Sequence, residues 1–146
     1  MRKHFIAAIF MVLVLASVKI NAYGATYYVS SSQGNDANDG LTPETAFKTI
    51  AKLNEMVFEA GDNILLKCGD VWEESFFPKG EGNSRNWITL SSYGEGPKPK
   101  ISPKGNPTYG IFLDNYAGWR IIGIEVCNAQ AGIRLLISEV GQKDGL

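Results

Sequence analysis

The chain has 146 residues, 45% of them hydrophobic and 20% charged, with a formal net charge of −1. Its one histidine, His4, lies in an apolar leader, so the remainder excludes a Ser-His-Asp or Cys-His nucleophile, an HExxH zinc site and a histidine general base. Chemistry is left to carboxylates, Lys, Arg, Tyr and oxygen-ligated metals, in a length that suits about one domain.

Residues 1–22 read as a signal peptide. Arg2 and Lys3 precede an apolar run over residues 5–18, and small residues then allow cleavage after Ala22 or after Gly24. A transmembrane span needs about 20 apolar residues, which this run does not reach. The expectation is a protein secreted to the periplasm or the cell exterior, with no membrane contact in its mature form. Loss of Arg2, Lys3 and Lys19 leaves 11 basic groups against 15 acidic ones, a net charge of −4. With no basic excess and no arginine cluster, nucleic acid is not an expected partner.

Residues 26–30 (TYYVS) are β-branched and aromatic and predict a short strand. Residues 31–40 are so rich in Asn, Asp, Ser and Gly that neither helix nor sheet propagates through them. One amphipathic helix follows, capped by Thr45 or Thr42, with Phe47, Ile50, Leu53, Met56 and Val57 on one side and Gly61 ending it. From Asn63 onward come seven short apolar runs, at 64–68, 75–77, 87–90, 100–102, 110–113, 119–127 and 132–136, with no helix between them.

The spacing of those runs suggests stacked coils. Ile64, Ile88, Ile111 and Ile133 recur every 22 to 24 residues, and Phe76, Ile101 and Ile122 every 21 to 25. Two interleaved columns predict a parallel β-helix with two strands per period. A β-sandwich is the alternative, but its hairpins favour Asp-Gly and Asn-Gly turns, and Asp-Gly occurs only at 39–40 and 144–145. Cys68 and Cys127, the only cysteines, could bridge in an oxidising compartment. Each lies in an apolar run, and two separate core thiols are the favoured reading. Without histidine they make no zinc site.

The segments Tyr27-Tyr-Val-Ser30, Gly34-Asn-Asp-Ala-Asn-Asp-Gly40, Thr42-Pro43, Ala46-Phe-Lys-Thr-Ile50 and Ala60-Gly-Asp-Asn-Ile64 resemble the N-terminal region of secreted right-handed parallel β-helix proteins of the pectin lyase-like superfamily. Lys67-Cys-Gly-Asp-Val-Trp72, residues 87–90, Tyr93-Gly-Glu-Gly, Lys98-Pro and Gly123-Ile-Glu-Val extend the resemblance to residues 25–136. It implies an all-β fold, a right-handed parallel β-helix of which only the first coils are present, with an N-terminal capping helix. The implied division is a cap over residues 25–62 and coils over residues 63–146, truncated because the closing residues do not form a polar end cap. It implies that the amphipathic helix covers the first coil and shields its strand edges.

Four groups of residues bear on chemistry. Asp36, Asn38 and Asp39, followed by Gly40, have the donor set of a calcium loop, but the twelfth position from Asp36 is Phe47 rather than a glutamate. An ion-free turn held by Asx side chains is the favoured reading. Asp70, Glu73 and Glu74 beside Trp72 offer paired carboxylates and a sugar-stacking ring, or an exposed loop with one aromatic anchored in the core. Lys98, Lys100, Lys104, Arg120 and Arg134 could serve as the base of a β-elimination if the pKa of one is lowered, with calcium neutralising a uronate; solvated corner residues explain them equally. Tyr93, Tyr109, Tyr116 and Trp119 could line a sugar face or stack inside the coils.

The functional expectation is the N-terminal part of an exported protein acting on polysaccharide or oligosaccharide, as a lyase or glycoside hydrolase, with its catalytic residues beyond this chain. The alternatives are a non-catalytic carbohydrate-binding or cell-surface protein, or an inactive remnant.

Overall fold

The computed structural model describes residues 24–105 and 108–136; the predicted signal peptide and the residues after 136 lie outside them. The regular structure of the described chain is mostly β, with one helix of six residues. Its elements are β1 (Thr26–Val29), α1 (Ile50–Glu55), β2 (Asn63–Lys67), β3 (Val71–Trp72), β4 (Ile88–Tyr93), β5 (Lys100–Ile101), β6 (Tyr109–Asp114), β7 (Trp119–Ile121), β8 (Glu125–Val126) and β9 (Ala131–Leu136).

Every strand pair among the described residues is parallel. The first sheet has the order β1-β2-β4-β7, the second β3-β5-β8 and the third β6-β9. The chain visits the sheets in turn, and an isolated parallel bridge between Phe76 and Ile111 adds the 76 segment to the third sheet. Within each sheet the register lines up apolar residues. Ile64 pairs with Leu90 and Leu90 with Ile121; Trp72 pairs with Ile101 and Ile101 with Val126; Ile111 pairs with Ile133. Residues alternate between the two faces of a strand, so Ile64, Leu66, Ile88, Leu90, Trp72, Ile101, Phe76 and Ile111 form one core with Val29, Ile50, Leu53 and Phe58.

There are therefore three columns, not the two that the spacing predicts. Ile111 belongs with Phe76 and Ile133 rather than with Ile64 and Ile88, and exposed Ile122 belongs to no column. The reason is uneven linkage. Ile64 and Leu90 are 26 residues apart while Leu90 and Ile121 are 31 apart, so no fixed period identifies partners. The run at 119–127 is also two strands, β7 and β8, broken by a turn at Gly123, whose φ is 71°.

The helix is shorter than its apolar periodicity predicts. Its N-cap is Thr49, whose hydroxyl accepts the Lys52 N–H at 3.0 Å, and Val57 is 71% exposed. Asp36 takes the N–H groups of Lys48 and Thr49 at 2.7 and 3.0 Å, which holds the preceding residues extended and moves the start of the helix to Ile50. Only Ile50 and Leu53 of the helix are buried. Asn54 ties it to the third sheet, donating to the Ser75 carbonyl and accepting from the Phe77 N–H.

The outer edge of β1 is shielded by the loop rather than by the helix. Tyr28 N–H donates to the Gly40 carbonyl, Phe47 N–H to the Tyr28 carbonyl and Ser30 N–H to the Phe47 carbonyl, so backbone of residues 40–47 occupies the edge that would otherwise be open. Gly40 has φ 72°, and a Cβ there would come within 2.3 Å of the Phe47 ring, so both conformation and space require glycine. Cys68 and Cys127 are half-buried free thiols that follow β2 and β8.

Core and surface positions in and beside the first sheet are expected to respond differently. Leu66→Ala and Leu90→Ala should each cost about 2–5 kcal/mol in urea unfolding. Ile122→Ala, half-exposed just past β7, should stay within about 0.5 kcal/mol.

Candidate functional site

The three acidic residues around Trp72 are taken apart by the fold. Asp70 is 7% exposed and accepts from the Ser30 hydroxyl at 2.8 Å and the Ser32 N–H at 3.2 Å. Burial acts to raise its pKa, but the bonds from Ser32 and Ser30 and the charge of Lys67 outweigh it and hold the carboxyl below its usual range. Glu74 accepts the Ala51 N–H at 2.6 Å, and Glu73 pairs with Lys104 at 2.6 Å. Trp72 is 2% exposed, with its indole N–H on the Lys48 carbonyl at 2.9 Å. No face of it is open to a sugar ring. A surface pocket of about 260 Å³ lies over this junction, bordered by Lys48, Thr49, Glu73 and Glu74.

The Asx-rich segment uses its side chains on its own backbone. Asp36 accepts the Lys48 and Thr49 N–H groups through Oδ1 and the Thr49 hydroxyl through Oδ2, at 2.7 to 3.0 Å. Burial again acts to raise its pKa, and these bonds with the charge of Lys52 hold it low. Asp39 accepts the Leu41 N–H and the Thr45 hydroxyl, which lower its pKa, and Asn38 donates to the Ala46 carbonyl at 3.1 Å. Among the described residues there is no group of three or more His, Cys, Asp or Glu side chains arranged to hold a metal ion.

The basic residues separate into two kinds. Lys100 pairs with Glu125 at 2.9 Å on the outer face of the second sheet, and that bond raises its pKa, whereas an elimination base needs it lowered. Lys104 is paired with Glu73, and Lys98 is exposed in the link before β5. The two arginines instead lie over aromatic rings. Arg120, on β7, sits 5.4 Å from the ring centre of Trp87. Arg134, on β9, sits 5.2 Å from the ring centre of Tyr109 and donates to its hydroxyl at 3.0 Å.

The second arrangement is the more developed. Phe112 lies between buried Ile111 and Leu113, so strand alternation turns it outward, where it stacks on Tyr109 at 4.7 Å and 18°. Arg134 is the register partner of Phe112. Two half-buried stacked rings and the exposed Arg134 guanidinium therefore share the outer face of the third sheet. Such a face suits a sugar, whose C–H surface packs on a ring while its hydroxyls accept from arginine. Of the other aromatics, Tyr93 packs on Tyr28 at 5.1 Å on the outer face of the first sheet. Trp119 faces the core, against Phe58 and Phe76, with its indole N–H on the Gly80 carbonyl. Tyr116 is half-buried in the link between β6 and β7. The sequence does not single out Trp87 and Phe112 as site residues; the signal it offers is the position of each beside an isoleucine that the core buries.

No family model matches the chain. It is 35% identical over 88 residues to a lacto-N-biosidase of Bifidobacterium longum subsp. longum, covering 56% of this chain and 6% of that protein. It is 30% identical over 64 residues to alpha-1,3-galactosidase A of Akkermansia muciniphila, covering 44% and 11%. Crystal structures of a GH136 lacto-N-biosidase from Eubacterium ramulus, as selenomethionine derivative and native protein, superpose with TM-scores of 0.67 and 0.66 at 25% and 26% identity. Each superposition covers 79% of this chain and 21% of the other.

These similarities correct the expected membership of the pectin lyase-like superfamily, because GH136 is a different family. The segments that suggested it, such as Gly34 to Gly40 and Ala46 to Ile50, form the Asx turns and edge cover described above. They encode a way of starting a parallel sheet, which does not identify a lineage.

The loop and the Asp70 contact lead to a paired expectation. Asp36→Ala should cost roughly 1–2 kcal/mol, and added calcium should leave the melting temperature of the unaltered protein in place; a calcium-dependent rise would show an ion in the loop. Because the pKa values of Asp36 and Asp70 are lowered in the fold, their stabilisation is present above the unfolded carboxylate value of about 4 and is lost as pH falls through the folded values. Asp70→Asn should flatten that acid limb in pH-dependent melting curves.

Proposed function

We propose that this chain is a carbohydrate-contacting part of an exported glycoside hydrolase, with its three parallel sheets wound as turns of a right-handed parallel β-helix. The cyclic order of the sheets supports the winding, and parallel crossovers are right-handed in about 98% of cases. The observation that carries the function is the half-buried Tyr109–Phe112 stack with exposed Arg134 across it. Hydrolase is preferred to lyase because the relatives are named as glycosidases.

The chain spans only 6% and 11% of the two curated relatives and 21% of the solved chains, so the role proposed for these residues is contact with an oligosaccharide. Asp70, Glu73 and Glu74 are each engaged elsewhere in the fold. Their dispersal favours, as a second reading, a protein that binds glycans without cleaving them.

Calorimetric titration with oligosaccharides ending in lacto-N-biose or α-1,3-linked galactose tests the proposal. Arg134→Ala and Tyr109→Ala should each weaken binding about tenfold, while Lys98→Ala leaves it unchanged. Equal affinities in all four proteins, or no binding by any, would overturn it.

A further inference from the structure

Asp62 is 5% exposed. Its Oδ2 accepts the Glu59 N–H at 2.8 Å and its Oδ1 accepts the Ala25 N–H at 2.7 Å. The Ala25 carbonyl in turn accepts the Asn63 N–H at 2.8 Å, so Ala25 is fixed on both sides where β1 begins. No Lys or Arg among the described residues pairs with this carboxylate. Its neighbours Glu59 and Tyr27 add no positive charge, and the Tyr27 phenol is pushed up by burial and then by the charges of Asp62 and Glu59. A buried carboxylate without a countercharge is costly. A pocket of about 370 Å³, bordered by Gly24, Ala25, Tyr27, Glu59 and Asp62, adjoins the Ala25 nitrogen.

The sequence supplies a cation for that position. Cleavage after Gly24 places small residues, Ala22 and Gly24, at both positions that signal cleavage favours, whereas cleavage after Ala22 places Ile20 at the first of them. We propose that the leader is removed between Gly24 and Ala25 and that the new α-ammonium group of Ala25 pairs with Asp62. Water adds across the Gly24–Ala25 amide; Gly24 departs with the leader as a carboxylate, and the Ala25 nitrogen takes up protons to become an ammonium. The Ala25–Asp62 bond then becomes charge-assisted, and the pocket leaves room to hydrate the remaining N–H groups. Leader removal would thereby stabilise the fold that follows it.

The inference rests on the export reading above, and the experiment separates the two. The full chain is expressed with its leader, and the N-terminus of the exported protein is determined by mass spectrometry. A start at Ala25 is expected. A start at Tyr23 overturns this inference and leaves export intact, whereas retention of the leader overturns both.

Selective acetylation of the Ala25 amine removes its charge and keeps a donor. It should lower the melting temperature by about 5 °C in the unaltered protein and leave it unchanged in Asp62→Asn. Pairing with a carboxylate raises the ammonium pKa in the fold, so the gap between free and acetylated forms should be full below the ordinary α-amino value of about 8 and close as pH rises through the folded value. An equal effect of acetylation in both backgrounds, or a gap that does not change with pH, would overturn the pairing even if Asp62→Asn folds poorly.

Discussion

Parallel pairing cannot be closed by a tight turn, and the rest of this structure follows from that constraint. Neighbouring strands of the first sheet run the same way, so the chain leaving β2 must travel back before β4 can pair. It makes the return through β3 and the 76 segment, and each stop becomes a strand of another sheet. The same return after β4 lays β5 on β3 and β6 on Phe76. Three sheets therefore share one interior, in which Ile64 and Leu90 of the first, Trp72 and Ile101 of the second and Phe76 and Ile111 of the third are buried together. This is why strands of two residues, such as β3 and β5, can place fully buried Trp72 and Ile101.

Among the described residues β1 pairs with another strand, β2, along one edge only, and its other edge is covered by local chemistry. Residues 40 and 47 supply the missing partner backbone, and Asp36, Asn38 and Asp39 hold the loop in the shape that allows it. Asp70 then ties the end of β1 to the turn between β2 and β3 through Ser30 and Ser32. Acidic residues whose spacing suggests catalysis or metal binding are here accepting backbone and hydroxyl donors. A carboxylate committed to two or three such bonds loses them when it turns toward a ligand, whereas Arg134, which gives one N–H to the Tyr109 hydroxyl, keeps further donors of its guanidinium for another partner.

The all-β character, the first strand, the non-propagating loop and the burial of Ile64, Ile101 and Ile111 are legible in the sequence because they depend on local composition and alternation. The column partners are not, since linkers of unequal length destroy the period on which such a reading relies. The length of the helix is hidden for a related reason: Asp36 competes for the N–H groups of Lys48 and Thr49 from 12 and 13 residues away. Trp72 is legible as a core aromatic, but the divergence of its acidic neighbours depends on Ala51 and Lys104, which sequence proximity does not connect. The Arg134–Tyr109 contact spans 25 residues and becomes visible only once β9 is set on β6.

That contact shows how a stacked fold generates a surface. Register places Arg134 beside Phe112, and the outward turn of Phe112 is fixed by the inward turn of Ile111 and Leu113 on either side of it. The interior thus dictates which residues meet outside. The Tyr109–Phe112 face is rigid, because moving the Phe112 ring would require shifting a strand whose alternate side chains, Ile111 and Leu113, are buried in the core. Loops can change the rim of such a face without disturbing it.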